Sequence, residues 1–127
     1  MPFVEKKFRA LPGADNRALG GLSMGGGQPI AIGFSNPDLF HSLVIMSAGS
    51  TNAETTYPDF FTAATNKKIK FLWIGIGKDN FLLNSAKALT AALTARGVNH
   101  IFRITEGRHE WVVWRHHLRE VAPLLFR

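Results

Sequence analysis

Apolar and polar positions fall in blocks along the chain, and the period changes from block to block. Leu43–Ser47 (Leu-Val-Ile-Met-Ser) and Ile69–Ile76 (Ile-Lys-Phe-Leu-Trp-Ile-Gly-Ile) are short, nearly continuous apolar runs, the pattern of strands covered on both faces. Arg17–Leu22 follows a turn at Leu11–Asn16, and His100–Thr105 holds Ile101, Phe102 and Ile104 among polar neighbours, so both read as further strands. Leu82, Ala86, Leu89 and Leu93 stand at offsets 0, 4, 7 and 11, one apolar stripe of a helix, with Arg96 in its last turn and Gly97 as C-cap. Trp111, Trp114, Leu118, Val121 and Leu125, at offsets 0, 3, 7, 10 and 14, predict a last helix that Pro123 ends or kinks. Met1–Ala10 looks like the end of a helix, carrying Phe3, Val4 and Phe8. Gln28–Phe34 is an apolar stretch after a Gly-rich corner, and Ser50–Thr65 is a polar loop with one short helix. Strand–helix–strand alternation predicts an α/β fold of about four mostly parallel strands with flanking helices in three layers, α/β/α.

Composition narrows the class without changing this picture. The chain has 127 residues, 46% hydrophobic and 19% charged, enough to bury one core as a single domain. It has no cysteine, which excludes a disulfide scaffold and a thiolate zinc site. The net charge is +6, but the cations are scattered with no run above two, as on a solvated surface rather than a nucleic-acid face. No apolar run reaches membrane-spanning length and no leader pattern opens the chain. The compartment stays open: secreted or periplasmic if a parent protein carries a signal peptide, otherwise cytoplasmic. Gly75-Ile76-Gly77 has Asn80 where a dinucleotide loop needs its third glycine, and His109-Glu110 has Val113 where a zinc-protease helix needs its second histidine. No metal or cofactor is implied.

One motif carries chemistry. Gly21-Leu22-Ser23-Met24-Gly25 matches Gly-x-Ser-x-Gly and stands between a strand and a helical stretch, where a sharp turn exposes a serine as nucleophile. The crowding of such a turn predicts small residues at both i−2 and i+2. The Met24 amide would then sit at a helix N-terminus, where an oxyanion is stabilised. A carboxylate and then a histidine should follow, each on a loop after a later strand. Asp79 follows the strongest strand, 56 residues after Ser23, and His109 follows the next strand, 30 residues later. His41, His100, His116 and His117 occupy ordinary loop, strand-start or mid-helix positions. Trp111 and Trp114 read either as core or as a sugar- or aryl-binding surface.

Three segments together, Arg17–Gln28, Asn36-Pro37-Asp38-Leu39-Phe40 and Ser47-Ala48-Gly49, resemble the esterase D-like branch of the α/β-hydrolases. So do Leu72–Leu82 and Gly107–Arg115, which are similar to the acid and histidine segments of carbohydrate esterase family 1, the feruloyl and acetyl-xylan esterases. The resemblance implies Ser23 as nucleophile, His109 as base, the Met24 amide as oxyanion donor, Gln28, Trp111 and Trp114 facing substrate, and feruloyl or acetyl esters of plant polysaccharide as substrates. In that family the acid sits immediately before the Phe-Leu pair, which here is Asn80, so either Asp79 turns in toward His109 or Asn80 stands in for it; Asp79 is the expectation. Pro29, six residues past the serine, should kink its helix. The family's first strands and the loop giving a second oxyanion amide have no counterpart, so the chain is expected to match the C-terminal half of such a domain. The open edge of its first strand should then recruit a partner segment or a second copy, giving a homo-oligomer. The alternative function is a catalytically weak or inactive module binding carbohydrate through Trp111, Trp114 and Tyr57.

Overall fold

The structure, a computed structural model, describes residues 1–127. Its centre is a four-stranded parallel sheet in the order β1-β2-β3-β4, with β1 at Ala18–Leu22, β2 at Ser42–Met46, β3 at Phe71–Gly77 and β4 at Ile101–Thr105. All four expected strands form, within two residues of their expected starts. The helices are α1 (Pro2–Lys7), α2 (Met24–Gln28), α3 (Ala53–Thr56), α4 (Leu83–Ala95) and α5 (Trp111–Val121).

Side-chain alternation divides the core between the two faces of the sheet. Leu43, Ile45, Leu72 and Ile74 meet Ile30, Phe34, Phe60, Leu89 and Leu93 on one face. Val44, Met46 and Trp73 meet Val121 of α5 on the other. This is the expected three-layer arrangement, and it explains the uninterrupted apolar runs of β2 and β3: both of their faces are covered. β1 and β4 are the edges, and their residues are only partly buried or exposed.

One local expectation takes a specific form and one changes. At Pro29, where a kink is expected, α2 passes into a π-helical turn at Pro29–Gly33 that stays in the core. Proline cannot donate to the carbonyl four residues back, and a wider turn accommodates the lost bond. The last helix is rotated from its expected stripe. Val113, Trp114, His117 and Val121 are buried, whereas Trp111 and Leu118 face solvent.

His117 is fully buried, with Nε2 2.8 Å from Thr105 Oγ1, no partner for Nδ1, and the Trp73 ring edge-on at 5.2 Å. Burial, helped by the charge of neighbouring His116, pushes its pKa down to about 4. The folded protein holds this imidazole neutral while the unfolded chain takes a proton near 6.5. Its contribution to stability is therefore complete above pH 6.5 and is lost as the pH falls toward 4, by up to about 3 kcal/mol. His117→Gln keeps a hydrogen-bonding group without the titration. Urea denaturation at pH 7 and pH 4.5 should show a smaller acid-induced loss in that variant than in the natural chain.

Candidate active site

The C-terminal ends of β1, β3 and β4 bring three segments together. Ser23 follows β1 at the sharp bend into α2, with φ 56° and ψ −123°, a left-handed conformation that costs a non-glycine residue on the order of 1–3 kcal/mol. Its N–H extends the parallel ladder to the Met46 carbonyl at 2.9 Å, and its own carbonyl accepts from Gly26 at 2.9 Å. Neighbouring bonds thus hold the strained residue from both sides.

Only part of the expected glycine requirement is steric. A Cβ on Gly21 would overlap the Gly25 carbonyl, and one on Gly26 would lie 2.7 Å from the Met46 oxygen. A Cβ on Gly25 would meet nothing within 4 Å. The glycines that let α2 approach the sheet are therefore Gly21 and Gly26, not the flanking pair of the motif.

His109 lies on the loop between β4 and α5, with Nε2 2.7 Å from Ser23 Oγ across 86 residues of sequence. That is within proton-transfer reach. The Phe81 ring centroid lies 4.8 Å from the imidazole at 45°, and the Trp114 ring lies 5.1 Å away, edge-on at 89°. Trp114 is itself fixed, since its Nε1–H donates to Ser47 Oγ at 2.9 Å beneath the site. Ser47 is fully buried and also has a positive φ, 50°.

The other ring nitrogen of His109 meets Asn80. Asn80 Nδ2 is 3.1 Å from Nδ1 and its Oδ1 is 3.4 Å away. Asp79 does not turn in as expected. The Asn80 N–H closes a turn on the Gly77 carbonyl at 3.1 Å, which leaves Asp79 on the outer corner, exposed, and folds Asn80 back into the protein, where it is buried. The Asp79 side chain has no hydrogen bond or ion pair; only its backbone N–H is engaged, by Gly107 O at 3.1 Å.

The remaining expected positions divide. Met24 opens α2, so its N–H belongs to the first helical turn, which has no acceptor within the helix; its side chain is exposed. Trp111 is exposed and packs edge-on against Trp114 at 5.1 Å. Trp114 is core and forms a wall of the histidine's cage. Gln28 is exposed at the far end of α2 and makes no side-chain hydrogen bond to Ser23 or His109. Tyr57 packs edge-on against Phe34 at 6.0 Å, at a cavity of about 490 Å³ that neither tryptophan lines. The three aromatics of the carbohydrate-module reading therefore do not form one surface. Sequence reasoning missed Phe81 and Ser47 as parts of the site. Each directly follows a residue ending a strand or its turn, the one signal that could have found them.

No cluster of three or more metal-ligating side chains occurs, and no helix is long and apolar enough to cross a membrane. What the arrangement can do is bring a hydroxyl, an imidazole and an unpaired helix N–H to one point, the elements of acyl transfer.

Comparisons with known proteins bear on the family and the fold. An endo-1,4-beta-xylanase/feruloyl esterase of Xylanibacter ruminicola is 31% identical over 132 aligned positions, which span all of this chain and 16% of that protein. A solved ferulic acid esterase superposes with a TM-score of 0.85 at 26% identity, over 99% of this chain and 56% of the other. The apoenzyme of an S-formylglutathione hydrolase from Staphylococcus aureus superposes with a TM-score of 0.84 at 22% identity, over 99% and 57%, and shares the fold. The chain thus spans about half the length of these structures and a sixth of the curated relative. The model of the Esterase family, described as "Putative esterase", matches residues 1–125, and this chain, a partial α/β-hydrolase fold, belongs to that family.

Proposed function

We propose that the chain hydrolyses carboxylic esters through an acyl-enzyme on Ser23. The observation that carries this reading is the 2.7 Å approach of His109 Nε2 to Ser23 Oγ at a strained strand-to-helix bend. Ser23 Oγ attacks the ester carbonyl while Nε2 takes its proton, and the Met24 N–H steadies the oxyanion. Nε2 then returns the proton to the departing alcohol. Water, activated by the same nitrogen, releases the acid and frees the serine.

Feruloyl or acetyl groups on plant polysaccharide are the proposed substrates. The names of the xylanase/feruloyl esterase and of the ferulic acid esterase support the feruloyl arm, and exposed Phe81 against His109, with exposed Trp111 packed on Trp114, gives an aryl or sugar ring apolar surface to lie on. Nothing in the comparisons favours the non-catalytic module. Turnover of a p-nitrophenyl acyl ester and covalent labelling by a fluorophosphonate test the reading. Both should be lost in Ser23→Ala, and equal rates in the variant would remove it.

Association of copies through the outer side of β1 belongs to the same proposal, supported by that strand's position at the sheet edge. Light scattering on a size-exclusion column should give a mass above one chain; a monomer across the concentration range would count against it.

A further inference from the structure

The hydrogen-bond network around Asn80 determines more than the orientation of His109. Asn80 Oδ1 accepts the Leu82 N–H at 2.9 Å, an Asx turn leading into α4. A backbone N–H can only donate, so this bond identifies the oxygen of the amide. The other end, Nδ2, is then the atom nearest His109 Nδ1, at 3.1 Å against 3.4 Å for Oδ1. Nδ2 carries two hydrogens and no acceptor lone pair. If Nδ1 also carried a proton, its closest contact would be donor against donor, and its acceptor would be Oδ1, longer at 3.4 Å and already taken by the Leu82 N–H. The rings of Phe81 and Trp114 flank the imidazole and offer no competing acceptor, and the one polar hydrogen of Trp114 is spent on Ser47.

We propose that Asn80 holds resting His109 as the Nε2–H tautomer, so that the imidazole donates to Ser23 Oγ and cannot act as its base until the ring proton moves to Nδ1. This rests on the hydrolase reading for its consequence, though not for its geometry. Asn80 is then a positioning residue that lowers the fraction of molecules competent to react. The two sites around its side chain, a backbone N–H and an imidazole nitrogen, both suit a carboxylate. Asn80→Asp would keep the Leu82 bond with one oxygen and accept Nδ1–H with the other. Nε2 would then be left with its lone pair toward Ser23. An amide in place of a triad carboxylate costs about 10⁴-fold through the wrong tautomer in a well-studied protease, which sets the scale for the reverse change.

The experiment is nitrogen NMR of the full chain labelled with ¹⁵N-histidine, at a pH where His109 is neutral, together with ester turnover and fluorophosphonate labelling. The natural chain should show a proton-bearing, pyrrole-type Nε2 and a pyridine-type Nδ1 for His109. Asn80→Asp should exchange the two, raise kcat about 10²- to 10⁴-fold and leave KM within about twofold. The spectrum of the natural chain needs no substitution, so it decides the tautomer even if the Asp variant fails to fold. Nδ1–H in the natural chain, or a folded Asp variant with an unchanged spectrum, overturns the proposal. The hydrolase reading fails separately: the tautomers then exchange as expected, but neither protein labels at Ser23.

Discussion

Replacing His109 by alanine lowers turnover of a p-nitrophenyl acyl ester by about 10²-fold or more, and adding Ser23→Ala to that variant costs little further. The expectation follows from one contact. With Nε2 at 2.7 Å from Ser23 Oγ, hydroxyl and imidazole act as a unit: the serine is a weak nucleophile without a proton acceptor, and the imidazole has nothing to activate without the serine. Independent contributions of about 10²-fold each would multiply to about 10⁴-fold, whereas members of one catalytic unit lose nearly the same rate singly and together. The floor of about 10² reflects what remains in a serine hydrolase when the residue orienting its histidine is changed; here an amide already occupies that place. Steady-state rates of the two single variants and the double variant decide the matter. Losses that multiply would mean that the contact is incidental.

Gly21→Ala destabilises the fold by about 3 kcal/mol, while Gly25→Ala two positions beyond the serine leaves it unchanged or stabilises it by about 0.5–1 kcal/mol. Both glycines belong to the same five-residue motif. An added methyl at Gly21 runs into the Gly25 carbonyl, which is main chain and cannot rotate away, so the first turn of α2 must shift off the sheet. At Gly25 the methyl enters open space within a helix, where alanine loses less backbone entropy on folding than glycine. Urea denaturation curves of the two variants compared with the natural chain would show the Gly21→Ala midpoint falling and the Gly25→Ala midpoint unchanged or higher. Equal midpoint losses would show that the motif glycines are both needed for backbone freedom rather than for space.

What the sequence made legible tracks which interactions are local. β3 could be read from its apolar run because a strand covered on both faces leaves no other signature, and α4 from a stripe whose Ala86, Leu89 and Leu93 are all buried. Ser23 and His109 were legible as a pair because each sits at a strand end. The third position was not. Whether Asp79 or Asn80 faces the imidazole is decided by a single turn bond to Gly77, and nothing in the order Lys-Asp-Asn shows where that bond closes. The rotation of α5 was hidden for a related reason. Apolar spacing favoured Trp111 and Leu118, but the bonds from Trp114 to Ser47 and from His117 to Thr105 anchor a different side of the helix. Tertiary contacts of this kind override the periodicity of an eleven-residue helix.

The parallel order β1-β2-β3-β4 puts the strand that leads into the serine at one edge of the sheet and the strand that precedes the histidine loop at the other. Two intervening strands and their crossovers must all be seated before the two side chains can meet, and such distant closures are slow steps in folding. A half-assembled chain therefore carries an ordinary alcohol rather than a nucleophile. On the proposed reading, reactivity at Ser23 belongs to the assembled sheet and cannot be borrowed by any intermediate on the way to it.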